Sequence, residues 1–394
     1  MASDNGHTEP VAWHAPDPFS LTHNQFVDAW DGKLIGGKPR ATEIFSRLHR
    51  EGIVPTDVVL RDGIPYQINM PDVVRTLRET TSEGDVVKFL TRVKGTGRLK
   101  PSTTSSLNVL NSDADSLEVE SVCIPMLARM QHRFYTLCVS SQVGCAMGCT
   151  FCETAQMGLI RSLTVREIVH QWFAATYHVG IRPKNIVFMG MGEPMDNLDN
   201  VIDSIAVLTD HRGPAVAMSN ITVSTVGRVE GIERLSRHAK QPGWHRLGLA
   251  ISLNAPNDEI RSSIMPINRA SPMEDLRQAM IDWPQKGNTK LCVEYVLIPG
   301  VNNEREHARE LANYLRPLSS PKPHVMLNVI PYNPRRNSPW PAPTEEQTEQ
   351  FIDWMIEESI PTRRRRTKGR TLMGACGQLG NEKIRNRTLV EAES

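Results

Sequence analysis

A chain of 394 residues, 39% hydrophobic and 23% charged, is long enough to bury a large core and has an ordinary globular composition. Its 45 Lys and Arg against 44 Asp and Glu leave a formal net charge of +1, so an anionic partner has to be met by a local patch. No apolar run approaches the roughly 20 residues that cross a membrane. The start MASDNGHTEP has no basic-then-apolar leader, and seven clustered cysteines without one place the expected location in a reducing cytoplasm.

Taken in chain order, residues 1–20 are polar and proline-containing and are expected to form a loose tail. Residues 21–95 are expected to form a small accessory domain. In it, KPRATEIFSRLHREG places Ile44, Phe45 and Leu48 on one helical face, RDGIPYQINMP supplies turn residues, and DVVKFLTRV has the pattern of a strand. Residues 96–116 are rich in Gly, Ser, Thr and Asn, which predicts a loop or insertion and a boundary there.

From 117 to 370 short apolar strands alternate with amphipathic helices. Strands are expected at Tyr135–Val139, Asn185–Met189, Ile221–Val226, Leu247–Leu253, Val293–Ile298 and Val325–Ile330. Between the first two, SLTVREIVHQWFAATYHVG predicts a helix with a Thr164/Glu167 capping box and a buried stripe of Ile168, Val169, Trp172 and Phe173. This alternation predicts an α/β fold of parallel strands covered by helices, an open sheet or a partial barrel, with ligands gathered at the carboxyl ends of the strands. A last segment, 371–394, follows the core.

The segment SSQVGCAMGCTFCETAQMG directly follows the first of those strands and holds Cys145, Cys149 and Cys152 in the order C-x3-C-x2-C. Three thiolates at this spacing can hold three corners of a [4Fe–4S] cube and leave the fourth iron open to a small molecule, which is an arrangement for one-electron chemistry. The plainer reading is a structural zinc site with Cys138 as fourth thiolate. The crowding of three ligands into eight residues, with Phe151 before the last, favours the cluster and leaves zinc open.

Other strand ends carry polar residues. IVFMG runs into MGEPMDN, where Gly190 and Gly192 permit close backbone approach and Glu193 and Asn197 offer polar groups. Ser224 and Thr225, Ser252 and Asn254, and Asn333 stand at comparable places. Each alone is ordinary turn chemistry; together they suit a zwitterionic, ribose-bearing ligand. PTRRRRTKGR carries six cations and no acid, and Arg335 and Arg336 follow IPYNP, which reads either as a solvated face or as a contact for a phosphate backbone. In GACGQLG, Cys376 sits among small residues, which suits a mobile thiol and equally a small buried one.

Seven segments, SSQVGCAMGCTFCETAQMG, FMGMGEP, STVG, ISLNAPNDEIRSSIMPIN, EYVLIPGVN, NVIPYNP and ACGQL, stand in the order found in the RlmN/Cfr family. These are radical S-adenosylmethionine enzymes that methylate adenine in ribosomal and transfer RNA. The resemblance covers about residues 115–385 and is weaker over 25–95. It implies a partial (β/α)6-type radical SAM barrel with a small N-terminal accessory domain that contacts RNA. It implies a [4Fe–4S] cluster on Cys145, Cys149 and Cys152, with S-adenosylmethionine held by Gly192, Glu193, Ser224, Ser252, Leu253, Asn254 and Asn333. It also implies that Cys376 accepts a methyl group, that Cys138 resolves the RNA adduct by a disulfide with Cys376, and that Glu120 accepts a proton. Without the resemblance Glu120 reads as an exposed strand residue beside Glu118. Ribosomal and/or transfer RNA, and an electron donor such as flavodoxin or ferredoxin, are the implied partners of a monomer. Three departures stand out. Asn254 replaces a frequent His, Cys123 replaces a frequent aromatic and reads as a core residue, and the acidic residue common before ACGQL is missing. No residue separates carbon-2 from carbon-8 methylation, and carbon 2, the commoner activity, is the expectation.

Overall fold

The computed structural model describes residues 14–95, 116–127, 133–284, 291–319, 325–335, 337–365, 368–369 and 371–380. Helices α1 (His23–Asp28) and α2 (Gly37–Glu51) come first, followed by an antiparallel run of β1 (Asp72–Thr81), β2 (Gly84–Lys94), β3 (Ser116–Leu127) and β4 (Arg133–Cys138). After a small hairpin of β5 (Gln142–Gly144) and β6 (Leu159–Ser162), helices and strands alternate. Their order is α3 (Val165–Phe173), β7 (Asn185–Phe188), α4 (Leu198–Thr209), β8 (Ile221–Thr225), α5 (Val229–Ala239) and β9 (Gly248–Ser252). Then follow α6 (Asp258–Ile264), α7 (Met273–Ile281), β10 (Leu291–Leu297), α8 (Arg305–Leu315), β11 (Val325–Pro331), α9 (Glu345–Glu357) and β12 (Thr362–Arg364).

One ten-stranded sheet runs β1-β2-β3-β4-β7-β8-β9-β10-β11-β12, and every pairing from β4 to β12 is parallel. The six parallel strands from β4 to β11 are each followed by helix, which is the expected partial barrel. Both faces of these strands are buried. On β10, Val293, Tyr295 and Leu297 turn toward the helices, where Tyr295 stacks on Phe351 of α9, while Glu294 and Val296 turn inward. The α3 capping box forms as the sequence predicts, and its apolar stripe is buried.

Two expectations change at the N-terminal side. The boundary at 96–116 does not divide the sheet, because Val87 pairs with Cys123, Leu90 with Glu120 and Lys94 with Ser116. Val86, Val87 and Phe89 have no second layer of their own, so they join the main core through β3. Residues 96–115 lie outside the described residues. The tail is packed from residue 16 on: Phe19 is fully buried edge-on to His49, His170 and Phe173, and Asp17 pairs with Arg166 at 2.6 Å. Residues 1–13 lie outside the described residues. Cys123 is a core residue, as expected. Glu120 is not exposed but 1% accessible, since β3 is an interior strand covered on that face by the chain's C-terminal segment.

The ends of β8 and β9 are joined by one buried arginine. Asn257 caps α6 by accepting from the Ile260 N–H at 2.9 Å. One turn on, Arg261 donates to Leu253 O at 3.1 Å, to Asn268 Oδ1 at 2.8 Å and to Val226 O. Replacing it strands three buried acceptors, at roughly 1–3 kcal/mol each. Arg261→Met is expected to lower the thermal midpoint by on the order of 5 °C, with Arg261→Lys recovering only part; an unchanged midpoint would contradict this role.

Candidate active site

The carboxyl ends of the parallel strands surround a cavity whose empty volume, counted to its open mouth, is about 1030 Å³. Its floor and walls are built from backbone turns that the sequence locks in place. After β4, Ser140 exchanges two hydrogen bonds with the Gln171 side chain of α3, at 2.8 and 2.9 Å, and its hydroxyl donates to Glu120 O. Asn197 Nδ2 donates to Ser141 O and Leu163 O, both at 2.8 Å, so this residue clamps the loop and does not line the cavity.

That clamped loop leads into β5 and the cysteines. Gly144 has φ +78°, and a Cβ there would lie 1.9 Å from Gly158 O, so only glycine lets β5 and β6 close. Cys145 N–H then donates to Gly158 O at 2.9 Å. Cys145, Cys149 and Cys152 line one wall of the cavity, with Phe151 beside them. Their loop is tied down by Arg335, whose Nε donates to Thr150 O at 2.7 Å, and by Gln156, which donates to Cys149 O and Cys152 O. Arg335 thus serves the cysteine loop, while Arg336 lies outside the described residues. Burial raises all three thiols, Cys145 up to about 12. A thiol raised so far ionises when a metal displaces its proton.

Opposite, Gly192 (φ +98°) lets the β7 loop press on Gln142, whose side chain a Cβ would meet at 2.5 Å. Glu193 follows, 2% exposed, its carboxylate accepting from Val226 N–H at 2.9 Å, Met195 N–H at 3.0 Å and the Thr225 hydroxyl. Burial outweighs these bonds and pushes its carboxyl up to about 7. Ser224, Ser252, Asn254 and Asn333 share the wall. Asn254 sits at φ +60°, a conformation Asn adopts readily, and its Oδ1 accepts from Val296 N–H at 2.9 Å. Leu253 stays behind the wall, with its side chain in the main core and its N–H given to Glu294 O.

The chain's end returns to this cavity. Cys376 lines it, exposed to the opening, in a turn held by Glu153 N–H to Gly377 O at 2.8 Å and Thr154 Oγ1 to Leu379 O. Cys138 and Glu120 stand behind this segment and do not line the cavity. Desolvation raises the Cys376 thiol and the nearby Arg365 opposes it; burial pushes Cys138 up to about 12, with Cys376 adding to the rise. Part of the basic run is paired with acids, three of its cations among the described residues. Arg364 pairs with Glu345 and Glu349, Arg365 with Glu294 at 3.1 Å, and Lys368 with Glu83 at 2.6 Å, because β12 draws the run into the sheet. Arg366 and Arg370 lie outside the described residues. Sequence reasoning passed over Glu294 and Arg365, a pair next to both thiols, and Lys88, which meets Glu120 at 2.9 Å.

The Radical SAM superfamily model matches residues 139–312. The dual-specificity RNA methyltransferase RlmN of Lawsonia intracellularis is 37% identical over 376 residues, covering 91% of this chain and 95% of that one. That of Halorhodospira halophila is 41% identical over 274 residues, covering 68% and 71%. A radical SAM methyltransferase from Sphaerobacter thermophilus superimposes with a TM-score of 0.73 at 32% identity, over 92% of this chain and 98% of that one. Partial barrel, cysteine loop and match together define a radical S-adenosylmethionine enzyme. Within that superfamily the chain belongs to the RlmN family of RNA methyltransferases.

The residues present fit the group the superfamily implies. Three raised thiols share one wall of the cavity. A cube takes one thiolate at each of three separate corners, and Cys145, Cys149 and Cys152 can supply one each. In the same cavity Asn333 Oδ1 is buried without a hydrogen-bond partner, and Glu193 holds a buried carboxylate toward which an ammonium can bind. Gly144→Ala is expected to force β5 from β6, so that iron retained after anaerobic reconstitution falls well below that of the unaltered chain; full iron content would refute the close-approach argument.

Proposed function

We propose that the chain methylates a ring carbon of adenine, carbon 2, in ribosomal and/or transfer RNA, and that the transferred carbon rides on Cys376. One observation supports this reading best: the Cys376 thiol opens into the cavity that the three clustered cysteines line. The relatives' name, dual-specificity RNA methyltransferase, supports more than one RNA target.

The chemistry asks for such a carrier. A carbon between two ring nitrogens is electron-poor and does not attack a methylsulfonium. Cys145, Cys149 and Cys152 would hold the [4Fe–4S] cluster, which when bound supplies the electron, drawn from a flavodoxin or ferredoxin, for radical cleavage of S-adenosylmethionine. Glu193 would take the cofactor's ammonium, with Gly192, Ser224, Ser252, Asn254 and Asn333 around it and Leu253 behind them. Cys376 accepts the methyl group as a thiolate, which Arg365 favours. Cys138, pushed up to about 12, stays protonated and does not compete for the methyl. Glu120 accepts the proton lost from the ring carbon. Cys138 then attacks the Cys376 sulfur, its thiol proton passing to the product carbon, so that the disulfide forms as the bond from that sulfur to the carbon breaks and a methyl group is left on the ring. The working form is a cytoplasmic monomer; among the described residues no helix is long and apolar enough to cross a membrane.

Cys376→Ala is expected to abolish RNA methylation while iron binding persists. Cys138→Ala should trap RNA covalently on the enzyme, and freely released methylated RNA from that variant would sink the scheme. A second test uses Glu193. Between its ordinary 4.5 and about 7 the folded chain keeps a proton that the unfolded chain releases, so this group costs stability as pH rises through that window. Binding an ammonium favours the carboxylate, so affinity for S-adenosylmethionine should rise from pH 6 to 8. Glu193→Gln should weaken binding at pH 8 by at least about tenfold and flatten the profile; an identical profile in the variant would overturn this contact.

A further inference from the structure

Three parts of the chain meet at one ammonium. Lys88, on β2, is 4% exposed; its Nζ lies 2.9 Å from Glu120 Oε1, 3.3 Å from Leu372 O and 3.1 Å from Met373 O. The other Glu120 oxygen accepts from the Gly380 N–H at 2.9 Å. The sheet's register accounts for the meeting. Lys88 stands opposite Val122, which stands opposite Cys138, and Glu120 is two residues before Val122. All four therefore point to one face. The Cys376 segment lies over that face: a Cβ built on Gly374 would stand 3.7 Å from the Lys88 stem and from Val122.

The segment is thus held near its entry by Lys88 and at its exit by Glu120, and those two hold each other. Between the ties, Gly374 N–H bonds Gly369 O at 2.8 Å and Gln378 N–H bonds Ala375 O at 3.0 Å, so the turn carrying Cys376 is short and has little slack. Buried polar groups this interlocked act as a unit. We propose that Lys88 is a positioning residue for methyl transfer: its ammonium seats the Cys376 segment over the cavity and holds the Glu120 carboxylate beside it. With the segment seated, carboxylate and thiol keep a fixed spacing. This rests on Cys376 being the methyl carrier. A Lys at this place neither touches the cavity nor reacts; it acts through Glu120 and the two carbonyls.

The test is amide hydrogen exchange on the full-length chain, read peptide by peptide. Lys88→Met keeps the stem and removes the donors; exchange over 371–380 should rise at least about tenfold while β10 is unmoved, and Lys88→Arg should restore most of the protection. Glu120→Gln keeps an acceptor for Gly380 and should loosen the segment less, and the double variant should be no looser than Lys88→Met alone. Unchanged exchange over 371–380, a rise shared equally by β10, or additive loosening in the double variant overturns the proposal. Should Lys88→Met fail to fold, Glu120→Gln and Lys88→Arg carry the same comparison. On reconstituted enzyme, Lys88→Met should lower kcat by about tenfold or more with KM for RNA within about threefold; a raised KM with unchanged kcat overturns it. Peptide masses separate the two readings. A wild-type Cys376 that never gains a methyl group brings down the carrier and this proposal together, whereas a methylated Cys376 with unmoved exchange brings down the role of Lys88 alone.

Discussion

A pairing between two distant stretches of backbone governs the site. Glu153 donates to Gly377 O, and Thr154 donates to Leu379 O, 225 residues further along the chain. The first of these residues follows Cys152 and the first of their acceptors follows Cys376, so two hydrogen bonds bring both groups of thiols to one cavity. Thr154 opens a single 3-10 turn, Thr154–Met157, and the residues from Cys376 to Leu379 are turn and loop. The barrel supplies the frame; this join sets where the reactive sulfurs face.

The frame resists collapse by spending polar side chains on backbone. Arg261 ties β8 to β9, Gln171 and Asn197 fix the approach to the cysteines, and Arg335 fixes the cysteine loop itself. Each is buried or half-buried and each occupies a backbone carbonyl outside the sheet ladder. The carboxyl ends of parallel strands are poor in ladder partners, so a cavity there needs such fixings before it can be open. The raised pKa values of the thiols and of Glu193 share this origin: burial favours the neutral form, and the groups lining the cavity hold protons until a cation or metal arrives.

The sequence displayed much of this, unevenly. Periodicity located the six parallel strands of the barrel to within a few residues, because strands buried on both faces read as short apolar runs. The cysteine spacing and the residues at the strand ends marked the cavity. What escaped was set by pairing across distance. Glu120 looked exposed because a strand's own alternation does not tell which face another segment will cover. Lys88, in VVKFL, and Glu294, in LCVEYVL, were lone charges within apolar runs, a signal that could have been read as inward-facing. Arg365 was masked by its arginine neighbours, and the run looked like a surface patch because nothing local shows β12 entering the sheet. Phe19, in a polar stretch, gave the same kind of hint for the packed tail.

Among the described residues the sheet ends at two edges, β1 and β12. The chain leaves β12, crosses to the other side and lies against β2 and β3, where Lys88 and Glu120 take hold of it. What fills the gap in the open barrel is therefore a stave rather than a strand. Its ties to Lys88 and Glu120 are made by side chains, so none of them is a rung of the sheet. A nucleotide drawn from a folded RNA is far larger than a metabolite, and a closed barrel would have to unzip to admit one. Here the opening is built into the order of the strands.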